Sequence, residues 1–263
     1  MTTVNDIITY MEKIAPQEKK ESWDNVGLLC GRQSKEVRTI LVALDPFEDV
    51  ANEAVRLHAD LIVTHHPLIF RPLYRVTDDT AVGRVIMTLV QHDISAFNAH
   101  TNLDVAPDGV GHCLADAIGL KDVSVIAPFE YDGQNRPWGL LRKGTAEKQP
   151  LEEFLKNIKR SLGVPCVRYA AARDSVQHVA VGGGACAGEW RSVLEAGCDT
   201  FVTSDAKYND FWDAHDAGLT LIDAGHFYTE NPVCLQLKNI LQAAFPDMNV
   251  FLSSAHSDCM QFF

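Results

Sequence analysis

Between residues 38 and 100 the chain alternates short apolar runs with segments of helical period, and that alternation leaves few folds open. The runs RTILVALD (38–45), 60–65 and 94–100 read as strands, and 47–58 and 79–92 as the helices between them. Strands apolar at nearly every position and joined by helices require a parallel sheet covered on both faces. Ahead of this unit, residues 3–14 place Ile7, Ile8, Met11 and Ile14 on one side of an amphipathic helix that Pro16 stops. Asp78 or Asp79 is the expected cap of helix 79–92, and 107–119 is one more helix.

The pattern breaks at 128–150, a stretch rich in Pro, Gly and charge, which is read as a boundary with a solvated charged face over 142–153. Beyond it come a helix at 151–162 ended by Gly163, strands at 164–170, 176–182, 199–204 and 219–223, and a final strand at 248–254. Helices are expected near 188–197, at 208–217 and at 230–244. Both halves carry βαβ units, so the fold class is α/β with mostly parallel sheets covered by helices.

Three of the apolar runs stop where chemistry starts. LIVTHHPL (61–68) ends in His65 and His66, ISAFNAHTNLD (94–104) in His100 and Asp104, and LTLIDAGHFYTE (219–230) in His226 and Glu230. Ligands of open parallel sheets bind beyond the carboxyl ends of the strands. Imidazole with carboxylate is a donor set for Zn, Fe, Mn, Co or Ni. Adjacent strand residues face opposite ways, so His65 and His66 converge only if the strand has ended, and Pro67 supplies that ending. His226 and Glu230 share a face if helical; Gly225 and Pro232 favour a loop ending at His226, with Glu230 in the first turn of a helix. Five donors exceed the needs of one tetrahedral ion. Two divalent ions fit better, with His65 and His66 divided between them, Asp104 on one, His226 on the other and Glu230 bridging. His100 and Asn102 would orient those ligands by hydrogen bonds.

The segments ESWDNVGLL (21–29), THHPLIF (64–70), NAHTNLD (98–104) and AGHFYTE (224–230) resemble, in order and spacing, the Nif-three-like dinuclear metal family, whose members are often described as GTP cyclohydrolase I type 2 homologues. The resemblance spans nearly the whole chain and implies the same ligands: His65, His66, Asp104, His226 and Glu230. It implies two interlinked α/β domains with the metal pair between them, here divided as 1–126 plus 225–263, carrying most ligands, and 127–224. It also implies a homohexamer built from dimers, and a nucleotide-type substrate. Residues 203–209 (TSDAKYN) depart from the family's TGD-x-x-YH pattern, with Ser204 in place of Gly and Asn209 in place of His, and the C-terminal Ser257-Asp258-Cys259 lacks the usual Pro.

Composition narrows the function classes. The net charge of −12 disfavours general binding to nucleic-acid backbones. No apolar run approaches the roughly 20 residues of a membrane span. Seven cysteines, none in C-x-x-C spacing, point to free thiols in the cytoplasm rather than a disulfide framework. The glycine loop 182–188 is read as a tight strand–helix turn ahead of a phosphate cradle, and Trp23 as a core-edge residue ahead of a stacking platform. The leading reading is a metal-dependent hydrolase-type protein, with GTP ring opening as the implied reaction. The alternatives are a non-catalytic metal-binding scaffold or metal-handling protein with protein partners, and a metal-dependent phosphoesterase or nuclease.

Overall fold

The computed structural model describes residues 1–263. In chain order the elements are α1 (Val4–Ile14), β1 (Gly27–Cys30), β2 (Thr39–Ala43), α2 (Glu48–Arg56), β3 (Leu61–Thr64), α3 (Ala81–Gln91), β4 (Ser95–Asn98), α4 (Thr101–Asp104) and α5 (Val110–Ala117). There follow β5 (Lys121–Val125), β6 (Glu130–Tyr131), β7 (Pro137–Trp138), β8 (Arg142–Pro150), α6 (Leu151–Leu162), β9 (Arg168–Ala170), β10 (Ser175–Val181) and α7 (Trp190–Glu195). The chain closes with β11 (Thr200–Thr203), α8 (Tyr208–Asp216), β12 (Thr220–Asp223), α9 (His226–Glu230), α10 (Pro232–Ala244) and β13 (Asn249–Leu252). Two compact units result: Met1–Leu103 with Cys234–Ser257, and Asp104–Val233 with Asp258–Phe263. No helix is long and apolar enough to cross a membrane.

In the first unit the strand order is β1-β4-β3-β2-β13. The last four strands run parallel, and β1 is an antiparallel edge. Leu41, Ala43, Ile62 and Ala96 face Val50, Ala54, Val85 and Leu89 of α2 and α3. Ile40, Val42 and Val63 alternate with them and are buried too, which is why these strands read as unbroken apolar runs. Thr80, not Asp78 or Asp79, caps α3: its hydroxyl accepts from the Gly83 N–H at 3.0 Å. The hydroxyl oxygen sits one residue before the first helical turn, where the unpaired amides are. On α1, Val4, Ile7 and Met11 are buried, and Ile8 and Ile14 only half-buried.

The C-terminal strand is fastened by one acid. The Glu53 carboxylate accepts from the Ser253 hydroxyl, from Ser254 N–H (3.0 Å) and Oγ (2.6 Å), and from Ala255 N–H (3.2 Å). Burial pushes its pKa up, but these donors outweigh burial and hold it below the usual carboxylate range. His256 accepts from Leu44 N–H at 3.0 Å, and burial holds its imidazole below the ordinary value against the raising charges of Asp45 and Glu53. Both folded pKa values lie below the unfolded ones, so both contributions are present at neutral pH and are lost as pH falls. The imidazole's share is lost first, below its ordinary value of 6.5, and the carboxyl's later, below 4.5. Glu53→Gln is expected to lower unfolding free energy by about 1–3 kcal/mol at pH 7, because a buried acceptor is replaced by a half-mismatched amide. It should also flatten the acid limb of a urea-denaturation series. An unchanged midpoint at both pH 7 and pH 4 would remove Glu53 from this role.

In the second unit the strand order is β5-β8-β10-β11-β12-β9. β10, β11 and β12 are parallel, whereas β5, β8 and β9 pair antiparallel, so this sheet is more mixed than the sequence predicts. The difference lies mainly in β8. The charged stretch assigned to a solvated face is a nine-residue strand between β5 and β10, extended from Arg142 to Pro150. In its first half Arg142 and Gly144 are buried and Lys143, Thr145 and Ala146 half-buried, and only its outer half carries exposed Glu147 and Lys148. Val179, Val181, Val202 and Ile222 face α5 and α6 through Leu114, Phe154 and Ile158. Ala180, Phe201 and Leu221, of opposite parity, face Trp190, Val193 and Ala214 of α7 and α8.

Candidate functional site

In the first unit β3 ends at Thr64, whose hydroxyl donates to His66 O (2.7 Å) and closes the turn. The two imidazoles therefore lie on the same side, with ring centroids 4.9 Å apart. His100, just past β4, joins them at 5.1 Å from His65 and 5.4 Å from His66. One donor atom from each of the three lies within 4.8 Å of the others, a grouping that could hold a metal ion.

In the second unit Gly225, at φ +80°, turns the chain from β12 into α9. His226 opens this one-turn helix and Glu230 closes it, rather than His226 ending a loop, because one helical turn begins at Gly225 before Pro232 starts α10. The two side chains therefore share a face, with Nε2 3.0 Å from Oε2. A carboxylate oxygen of Asp104 lies within 4.8 Å of one from Glu230. The buried Cys186 thiol senses both: burial first, then the charges of Asp104 and Glu230, push its pKa up. Burial lowers the His226 pKa, but Glu230 and Asp205 outweigh it and raise the value to about 9.

All four imidazoles are fixed the same way, through Nδ1. His65 meets Ala99 O (3.0 Å), His66 meets Asp45 Oδ1 (2.6 Å), His100 meets Asp24 Oδ1 (2.9 Å) and His226 meets Asp205 Oδ2 (2.8 Å). An oxygen acceptor at Nδ1 requires the proton there, so in the neutral ring Nε2 carries the lone pair that a metal binds. Asp24 is itself tightly held. Burial raises its pKa, but His100 and the Thr101 hydroxyl (2.6 Å) and N–H (3.1 Å) bring it far below the usual range.

The three aspartates lie outside the ligands and orienting groups that the sequence predicts, yet two carry a repeated signature. Asp45 lies two residues past β2, and its partner His66 two past the parallel neighbour β3. Asp205 lies two residues past β11, and its partner His226 three past the parallel neighbour β12. Both pairs are 21 residues apart in the chain. An Asp just beyond one apolar run, followed 21 residues later by a His beyond the next, is a signal the sequence offered.

Asn102 has a different place. Its amide donates to Ala15 O (2.6 Å) and its oxygen accepts from His100 N–H (2.9 Å), so it fixes backbone around His100. Trp23, expected at a core edge, is 59% exposed and stands edge-on to Phe70 (5.9 Å) and His100 (6.3 Å). The glycine loop is a tight turn beneath Glu230. Gly184 lies at φ +64°, and a Cβ there would collide with Glu230 Oε1 and lie 3.1 Å from its Cδ. Ser204, the departure from the family pattern, is buried and donates to Gly184 O (2.7 Å), which supports that turn. Asn209 is exposed at the start of α8.

The donor chemistry fits a divalent ion: imidazoles with Nε2 lone pairs, buried carboxylate Glu230, and a side-chain-free cradle at Gly184. Fold and donors together define an α/β protein with histidine–carboxylate groups able to hold metal. The chain belongs to the Duf34/NIF3 (NGG1p interacting factor 3) family, whose model matches residues 2–259. A relative from Clostridium perfringens named GTP cyclohydrolase 1 type 2 homolog is 34% identical, over 98% of this chain and 99% of its own. A protein of the same name from a Nostoc species is 37% identical, over 99% of this chain and 98% of its own. A crystal structure of a Staphylococcus aureus hypothetical protein matches with TM-score 0.92 and 31% identity, covering 99% of both chains. A Bacillus cereus protein related to NIF3 matches with TM-score 0.90 and 26% identity, covering 100% of this chain and 99% of its own.

Proposed function

We propose that this chain is a dinuclear metal-binding protein with hydrolase-type chemistry, in which His65, His66, Asp104, His226 and Glu230 hold two divalent ions. The observation that carries the reading is the common fixing of every imidazole through Nδ1, by an aspartate in three of four cases. Hydrogen bonds of this kind set ring orientation and raise ligand basicity. Divalent ions bound there would polarise an electrophilic carbon or phosphorus centre and steady the charge that develops on it. The chain's own contribution is to orient the rings, through Ala99, Asp45 and Asp205, and to hold Glu230 in place through the Gly184 turn. The relatives' name puts GTP ring opening first among reactions to assay. A homohexamer built from dimers, checked by sedimentation, belongs to the same reading.

The test is metal content by mass spectrometry on protein purified without chelator or affinity-tag metal. Wild type should carry about two ions per chain, and His65→Ala/His226→Ala should lose them. Metal below about 0.2 per chain in wild type, with no uptake of added Zn or Mn, would overturn the metal reading. Asp205→Asn should weaken metal retention by about 10–100-fold, because His226 loses its fixed tautomer. Retention equal to wild type in a chelator competition would deny Asp205 that role.

A further inference from the structure

In the first unit the carboxyl ends of β2 and β3 open onto a cavity of about 590 Å³. That lies within the range of small-molecule pockets, roughly 300–1,000 Å³. The buried part of its lining is Pro46, Leu68 and Val85, with half-buried Val82 of α3 beside them. Phe47, Phe70 and Leu73 line it at the surface and are left 62%, 47% and 42% exposed. Large apolar side chains gathered around a concavity mark a binding site more often than a stable free surface. His66 stands on the same wall, and Trp23 continues the aromatic surface from Phe70 to His100.

The charges on the wall select the occupant. Three carboxylates line the cavity, Asp45, Glu48 and Asp49, against the single guanidinium of Arg71. The amino end of α2 offers no seat for an anion, since its first turn already holds Glu48 and Asp49. A phosphate or carboxylate entering here would meet like charge, whereas a neutral or cationic ring would meet aromatic faces and acids.

We propose that this cavity binds a small planar aromatic molecule, neutral or cationic, with its polar edge toward His66. That the molecule is the substrate's ring end rests on the metal reading above; the binding itself does not. Phe47 and Phe70 cover the ring, and Asp49 sets the charge preference.

The test uses the full chain, stripped of metal, with three probes of one shape measured by calorimetry: indole, tryptamine and indole-3-acetate. Indole and tryptamine should bind at least about tenfold tighter than indole-3-acetate. Val82→Trp, which fills the cavity, should weaken both by at least about tenfold. Asp49→Lys should move the tryptamine to indole-3-acetate ratio at least about fivefold toward the anion. Failure of indole and tryptamine to bind, equal or tighter binding of indole-3-acetate, or a folded Val82→Trp that binds like wild type would overturn the proposal. Should Val82→Trp not fold, an unchanged ratio in Asp49→Lys overturns it instead. Metal content measured on the same preparations before stripping separates the two readings. Two ions with no indole binding removes the cavity proposal alone, and indole binding without metal uptake removes only the substrate clause.

Discussion

Gly184→Ala is expected to give a folded protein that retains metal about 10–100-fold less well than wild type, the size of effect seen when a ligand loses its support. An added Cβ would collide with Glu230 Oε1 and press on Cδ at 3.1 Å and His226 Cε1 at 3.3 Å. The atom that yields is the end of a flexible side chain, so the fold survives while the carboxylate swings away. The left-handed φ of +64° adds about 1–2 kcal/mol of backbone cost for alanine. The Thr203 and Ser204 hydroxyls, both bonded to Gly184 O, oppose any relaxation of the turn. Chelator competition read by metal mass spectrometry would measure the loss, and thermal unfolding would measure the backbone cost. Wild-type retention in the alanine variant would show that Glu230 is not held by this turn, and a crystal structure of the variant would show where the carboxylate goes.

Arg142→Met is expected to destabilise the second unit by about 1–3 kcal/mol, because Gly139 O loses its donor and Ala106 O keeps only the Gly109 N–H. Arg142 opens β8, is only 2% exposed, and donates to Gly139 O at 2.5 Å and Ala106 O at 2.6 Å. Burial pulls the guanidinium down to about 10, against the raising charges of Asp108 and Cys113. Removing the cation relieves that desolvation cost, which is why the expected loss is less than two full hydrogen-bond penalties and a cavity combined. The bonded loop directly follows Asp104, and Gly139 N–H donates to Val105 O (3.0 Å) beside it. Hydrogen exchange over 105–109 should therefore rise together with the fall in the urea midpoint. Lysine should restore less than half of the loss, because one ammonium lacks the fork that reaches both carbonyls. A methionine variant with a wild-type midpoint would show that the fork contributes nothing net.

Among these elements, the ones legible in the sequence are those whose local pattern and tertiary role agree. β2, β3 and β4 are buried on both faces, and α6 begins at Leu151 and is capped by Gly163, whose φ of +71° suits glycine. β8 was not legible, because its Lys, Glu and Gln residues look solvated and only the pairing with β5 and β10 makes it a strand. The cap of α3 is not legible for a smaller reason: acids at 78 and 79 compete with Thr80 in sequence, and geometry alone chooses among them.

The sequence by itself determined the alternation of strands and helices and the placing of His65, His66, His100, Asp104, His226 and Glu230 just beyond apolar runs, because residue type and period are local properties. Only the tertiary structure decided which oxygen holds each imidazole. Asp24 reaches His100 across 76 residues, and Asp45 and Asp205 reach their histidines only because β2 lies beside β3 and β11 beside β12. Strand adjacency is set by how whole sheets bury their faces, a property that no window of the chain contains.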